Sequence, residues 1–77
     1  MSELHVNQLV DARQQPCPMP ILMLKRALKT LPSGQIILIK STDPHSQQDL
    51  VHFCQVQQLK LLKTEIQNDE FHYYIEN

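Results

Sequence analysis

The run Pro32-Ser33-Gly34 limits how this chain can fold more than any other feature, because it separates two apolar segments of different period. Before it, Ile21, Leu24, Leu28 and Leu31 recur at helical spacing, with Lys25, Arg26, Lys29 and Thr30 on the opposite side. Pro18 and Pro20 fit the first turn of that helix, where amide hydrogens have no helical partner. The helix is expected over 18–31, since Pro and Gly in succession end it. After the break, Gln35 to Lys40 (QIILIK) is short, apolar and rich in β-branched residues, which favours a strand that is central in a sheet or covered on both faces.

The same contrast orders the rest of the chain. Leu4 to Val10 alternates imperfectly, with Leu4, Val6 and Val10 on one side, and reads as a first strand. Asp11 to Pro16 is polar and reads as a loop. In Ser41-Thr42-Asp43-Pro44, Asp43 is the expected N-cap of a second helix and Pro44 its first helical residue. That helix should run to about Gln58, with Leu50, Phe53, Cys54 and Gln57 on one face and Val51 beside them. Two strands follow: Lys60 to Gln67, with Leu62, Thr64 and Ile66 on one side, and a last strand in which Phe71, Tyr73 and Ile75 alternate. Asn68-Asp69 between them is a two-residue hairpin signal without glycine.

The resulting order is β-α-β-α-β-β. A strand-helix-strand step makes a parallel crossover, and a terminal hairpin is antiparallel. The expected fold is an α/β (α+β) two-layer sandwich, a mixed four-stranded sheet with both helices on one face. With 77 residues, the chain forms one domain over 1–77 with a thin core.

Charge and cysteine usage exclude several function classes. The formal net charge is −1, so the basic stripe of a nucleic-acid binder is missing. Lys25, Arg26 and Lys29 are spaced as the solvated face of one helix; a partner-docking patch is the alternative. No stretch has the roughly 20 apolar residues of a membrane span. Met1 to His5 does not read as a signal peptide. Two cysteines are too few for a secreted disulfide scaffold, which points to the reducing cytoplasm. The four histidines fall on different elements and neither cysteine has metal-finger spacing, so no metal site is expected.

Cys17 is the candidate reactive group. It stands at the entrance of the first helix, where free amides and the positive end of the helix dipole stabilise a thiolate. Pro18 and Pro20 remove two donors, leaving the amides of Met19 and Ile21, and stiffen the turn. A structural or merely tolerated cysteine is the competing reading, and position alone leaves the two even. Arg13 is the charged side chain within reach of the thiolate, against simple solvation. Asp11 suits a loop cap and Asp49 a first- or second-turn helix position favoured by the dipole, with a general base as the alternative for each. Met19 and Met23 read as exposed or half-buried apolar positions near Cys17, with partner contact as the alternative. Cys54, between Leu50 and Phe53 in pattern, reads as a buried inert thiol, with a Cys17–Cys54 redox pair left open.

The segment Val10-Asp11-Ala12-Arg13…Cys17-Pro18-Met19-Pro20-Ile21 resembles the start of the TusA/SirA/YedF family of small sulfur-carrier proteins. These have a Cys-Pro-x-Pro step at the first helix and an Asp six residues upstream, as Asp11 is here. The likeness continues through Leu31-Pro32-Ser33-Gly34, Thr42-Asp43-Pro44-His45-Ser46, Asp49-Leu50, Phe53-Cys54 and the hairpin ending in Tyr74-Ile75. It implies a sulfurtransferase in which Cys17 takes sulfane sulfur from a cysteine desulfurase or another persulfide donor. Cys17 would then pass it to a downstream acceptor protein, the carrier being a monomer that needs no cofactor. The pattern departs at Gln14, where the family has Gly, and at Gln15-Pro16 directly before Cys17. If that Gly serves a left-handed turn, Gln14 must adopt it or the loop must take another path. An interaction or regulatory module with the same fold and no sulfur transfer is the alternative that this loop motivates.

Overall fold

The computed structural model describes residues 5–16 and 19–77. Along them run β1 (Gln8–Ala12), α1 (Met19–Thr30), β2 (Ile36–Ser41), α2 (Ser46–Gln57), β3 (Lys60–Gln67) and β4 (Glu70–Glu76). The sheet order is β1-β2-β4-β3, with β1 parallel to β2 and the other two pairings antiparallel. The expected mixed sheet and element order are both present, and β2 lies inside the sheet as its apolar run requires.

One face of the sheet carries Val10 and Ala12, Ile37 and Ile39, and Tyr73 and Ile75, aligned by the registers Val10↔Ile39 and Ile39↔Tyr73. Leu24 and Ala27 of α1 and Leu50, Phe53 and Cys54 of α2 close the same cluster, so both helices cover that face. Each large aliphatic side chain fully buried there contributes about 1.5–3 kcal/mol. Tyr73 is fully buried, and its hydroxyl is 2.9 Å from Ser46 Oγ, which satisfies both groups in the core.

Several expectations need correction. The first strand is Gln8–Ala12 rather than Leu4–Val10, so Asp11 and Ala12 belong to the sheet and not to the loop. Pairing with β2 fixes this register, and alanine adds little to an apolar pattern although Ala12 is buried. Val6 precedes the strand, and Leu4 lies outside the described residues. In α1 the buried line is Pro20, Leu24 and Ala27, with Ile21, Leu28 and Leu31 packed at its flank. The stripe is therefore rotated slightly toward small residues, which let the helix approach the sheet.

In α2 the N-cap is His45 rather than Asp43, and Pro44 precedes the helix. Asp43 acts one turn earlier: its Oδ1 accepts the His45 amide at 2.9 Å and its carbonyl the Ser46 amide at 3.0 Å. Gln57 is exposed, because the helix ends there through a left-handed Gln58 (φ 61°) with the Leu59 amide donating to the Cys54 carbonyl at 2.8 Å. In β3 the register slips between Leu61 and Lys63, so Leu61 packs on the core and Leu62 is left outside. Such a bulge inserts one residue and breaks a strict alternation. Ile66, expected on the apolar side, is 65% exposed at the strand's end. β2 begins and ends one residue later than expected.

Two chain reversals position the rest. Asn68 and Asp69 both have positive φ (49° and 65°), as a two-residue hairpin turn requires, and they do so without glycine. Gly34 takes φ 85°, and its amide donates to the Asn77 carbonyl at 2.7 Å, while the Asn77 side-chain amide donates to the Leu31 carbonyl at 3.0 Å. The turn after α1 is thus tied to the end of β4.

Candidate functional site

Cys17 and Pro18 lie outside the described residues, so the site is built from its two flanks. On the upstream side, the chain leaves β1 at Ala12 and reverses through Arg13 and Gln14, the Gln15 amide donating to the Ala12 carbonyl at 3.3 Å. The third residue of this turn is Gln14, at φ 64°. A left-handed backbone costs a non-glycine residue roughly 1–2 kcal/mol, so other contacts must hold it. One such contact comes from Thr42: the Gln14 amide donates to its Oγ1 at 2.8 Å. Of the two paths open to the loop, it keeps the left-handed turn.

Arg13 supplies a second set of contacts. Its Nε and one terminal nitrogen donate to the two Asp11 oxygens, both at 2.8 Å, in a bidentate fork. Its other terminal nitrogen donates to Glu70 Oε2 at 3.2 Å, and Glu70 Oε1 lies 3.0 Å from His72 Nε2. Because β2 lies between β1 and β4, this arginine links two non-adjacent strands over the end of β2. The Arg13 side chain holds the Asp11 carboxyl at about 2, helped by the Arg13 amide, which also donates to Asp11 Oδ1. Glu70 is likewise lowered, first by its bond to His72 and then by Arg13. Arg13 is itself raised by the two carboxylates. Its three side-chain nitrogens are thus engaged by carboxylates, in a strap that leaves the side chain exposed.

On the downstream side, the Met19 amide donates to the Pro16 carbonyl at 2.8 Å. That amide, expected to face the sulfur, is engaged by the loop. Pro20 is buried in the first turn of α1, Met19 is half-buried, and Met23 packs against the core edge. Asp11, Arg13, Gln14, Thr42 and Glu70 together line a polar depression of about 450 Å³ at this end of the sheet.

The other expected residues lie elsewhere. Cys54 is buried in α2 and burial raises its thiol pKa, as befits an inert core cysteine. Asp49 stands in the first turn of α2. Lys25, Arg26 and Lys29 are exposed along α1, with Lys25 Nζ 5.8 Å from the Phe53 ring centre. Among the described residues, no group of three His, Cys, Asp or Glu is placed to hold a metal, and no helix is long and apolar enough to cross a membrane. Sequence reasoning did not single out Thr42 or Glu70 as site residues. Glu70 gave no signal, standing 57 positions from Arg13; the hydroxyl of Thr42, just ahead of the Asp-Pro step, was the one available clue.

Comparison with known proteins sharpens this picture. The crystal structure of a SirA-like protein from Desulfitobacterium hafniense superposes with a TM-score of 0.79, covering 90% of this chain and 95% of that one. At 20% sequence identity that likeness is one of fold. The family described as sulfurtransferase TusA matches residues 8–77, which include the Cys-Pro-Met-Pro step, the Gln14 turn and every element of the sheet. The chain belongs to the sulfurtransferase TusA family.

Proposed function

We propose that this protein is a sulfur carrier whose Cys17 accepts sulfane sulfur as a persulfide and hands it to the thiol of a partner protein. The observation that carries the reading is the Cys-Pro-Met-Pro step at the start of α1 in a chain of a sulfurtransferase family. The helix beginning at Met19 offers the positive end of its dipole to an anion at its entrance, which favours a thiolate at Cys17. Pro18 and Pro20 stiffen the turn, Met19 offers an apolar contact to partners, and Asp11 with Arg13 supports the loop on the upstream side.

The Cys17 thiolate attacks the outer sulfur of a donor persulfide, such as that of a cysteine desulfurase. A new S–S bond forms at Cys17, the donor's S–S bond breaks, and the donor cysteine leaves as a thiolate. The transferred sulfur keeps its hydrogen, so Cys17 becomes Cys–S–SH with no net oxidation. A second exchange of the same kind passes the sulfur to the acceptor thiol and restores the Cys17 thiolate. The chemistry needs no cofactor or metal, suits a monomer that meets its partners in turn, and belongs in the reducing cytoplasm.

Incubation with a cysteine desulfurase and cysteine should add the mass of one sulfur atom to the peptide bearing Cys17. Cys17→Ser should abolish the gain and Cys54→Ser should preserve it; sulfur found on Cys54 alone overturns the reading. The Gln14-Gln15-Pro16 sequence before Cys17 motivates one second reading, an interaction or regulatory module of the same fold. On that reading Cys17 titrates like a free thiol, takes up no sulfur, and a partner still binds Cys17→Ser.

A further inference from the structure

The contacts around Gln14 carry an inference beyond the thiol itself. We propose that Thr42 is a positioning residue for the chemistry of Cys17, acting through the Gln14 turn; this rests on the sulfur-carrier reading above. Gln14 occupies a backbone region that L-residues disfavour, so something outside the turn must select it. Within the turn, the Gln15–Ala12 bond is long at 3.3 Å. The short bond is the one to Thr42 Oγ1, at 2.8 Å, and it comes from the loop between β2 and α2, 28 positions away.

That loop is itself fixed. Ser41 is fully buried at the end of β2, and its Oγ accepts the Asp43 amide at 3.1 Å. Asp43 then accepts the His45 and Ser46 amides, which ties the loop to the start of α2. Thr42 therefore presents its hydroxyl from a rigid mount between the central strand and a helix. On the other side of the turn, Arg13 is strapped to Glu70 and the Met19 amide to the Pro16 carbonyl. The segment leading into Cys17 is held at both ends, and the Thr42 hydroxyl is the contact that sets the turn in its middle.

A valine at this position keeps the shape and removes the acceptor; a serine keeps the acceptor. The first readout is the pH dependence of Cys17 alkylation by iodoacetamide in the intact protein, with mass spectrometry separating Cys17 from Cys54. Thr42→Val should shift the Cys17 midpoint and slow sulfur loading from desulfurase by about tenfold, the effect of losing one such bond. Thr42→Ser should track the wild type in both. Far-UV circular dichroism and continued protection of Cys54 establish that each variant is folded; should Thr42→Val not fold, Thr42→Ala takes its place in both assays. A wild-type profile in the hydroxyl-free variant, or equal loss in Thr42→Ser, overturns the proposal. If the wild-type protein takes up no sulfur, the carrier reading falls, while the alkylation midpoints still decide whether Thr42 positions the thiol.

Discussion

Removing the Tyr73 hydroxyl tests a buried polar contact that joins a helix to the sheet. Tyr73 is fully buried, and its hydroxyl lies 2.9 Å from Ser46 Oγ, which is 2% exposed at the start of α2. Tyr73→Phe keeps the ring and its packing but leaves the Ser46 hydroxyl buried without this partner. Leaving a buried hydroxyl without its partner costs about 1–3 kcal/mol. For a domain of this size that corresponds to a fall in Tm of roughly 4–8 °C per kcal/mol. Ser46→Ala likewise leaves the buried Tyr73 hydroxyl stranded and should cost about 1–3 kcal/mol. The double variant strands neither group, so it should lie well above the sum of the singles, with a coupling of about 1 kcal/mol. Urea unfolding followed by far-UV circular dichroism measures all four proteins, since the chain has no tryptophan. Strictly additive losses, or a Tyr73→Phe protein as stable as wild type, would refute the reasoning.

Four further outcomes follow from other parts of the fold. Leu61→Ala should cost about 1–2 kcal/mol and Leu62→Ala less than about 0.5, because the bulge turns only Leu61 to the core; equal costs in urea melts would count against that register. Gln58→Gly should stabilise by about 0.5–1 kcal/mol, since glycine suits the left-handed position that ends α2; a lower Tm would contradict it. Asp11 is held at about 2 against an ordinary 3.8, so its contribution is complete above pH 3.8 and disappears as pH falls through about 2. With nearly half of that side chain exposed, the gap between wild type and Asp11→Asn should be only about 0.5 kcal/mol at neutral pH and close below about pH 2; a gap unchanged by acid would exclude the ion pair as its source. Native Cys54 should react with iodoacetamide at least about tenfold more slowly than in urea, as a buried thiol with a raised pKa must await opening; equal rates would place it at the surface.

Local chemistry settled much of this protein before any tertiary contact was considered. The helical spacing through Leu24 and Leu28, the Pro-Ser-Gly break and the apolar run of β2 each state their structure over a few residues, because period and backbone restriction are local properties. The Asn68-Asp69 turn and the core position of Cys54 were legible for the same reason, whereas a left-handed Gln14 was only one of two loop paths that the family resemblance left open. The Cys-Pro-Met-Pro step also marked the candidate site directly. What the sequence did not reveal depends on partners distant along the chain. The first strand's limits follow from its register with β2, which turned Asp11 from a loop residue into a strand residue. The β3 bulge comes from pairing with β4, and no alternation rule foresees an inserted residue. Above all, Arg13 meets Glu70 across the end of β2, and the Gln14 amide meets Thr42 from another loop. A hydrogen bond or ion pair requires atoms within about 3 Å. Only the folded sheet brings residues 28 and 57 positions apart that close, so the thiol was written in the sequence and its supports were decided by the tertiary structure.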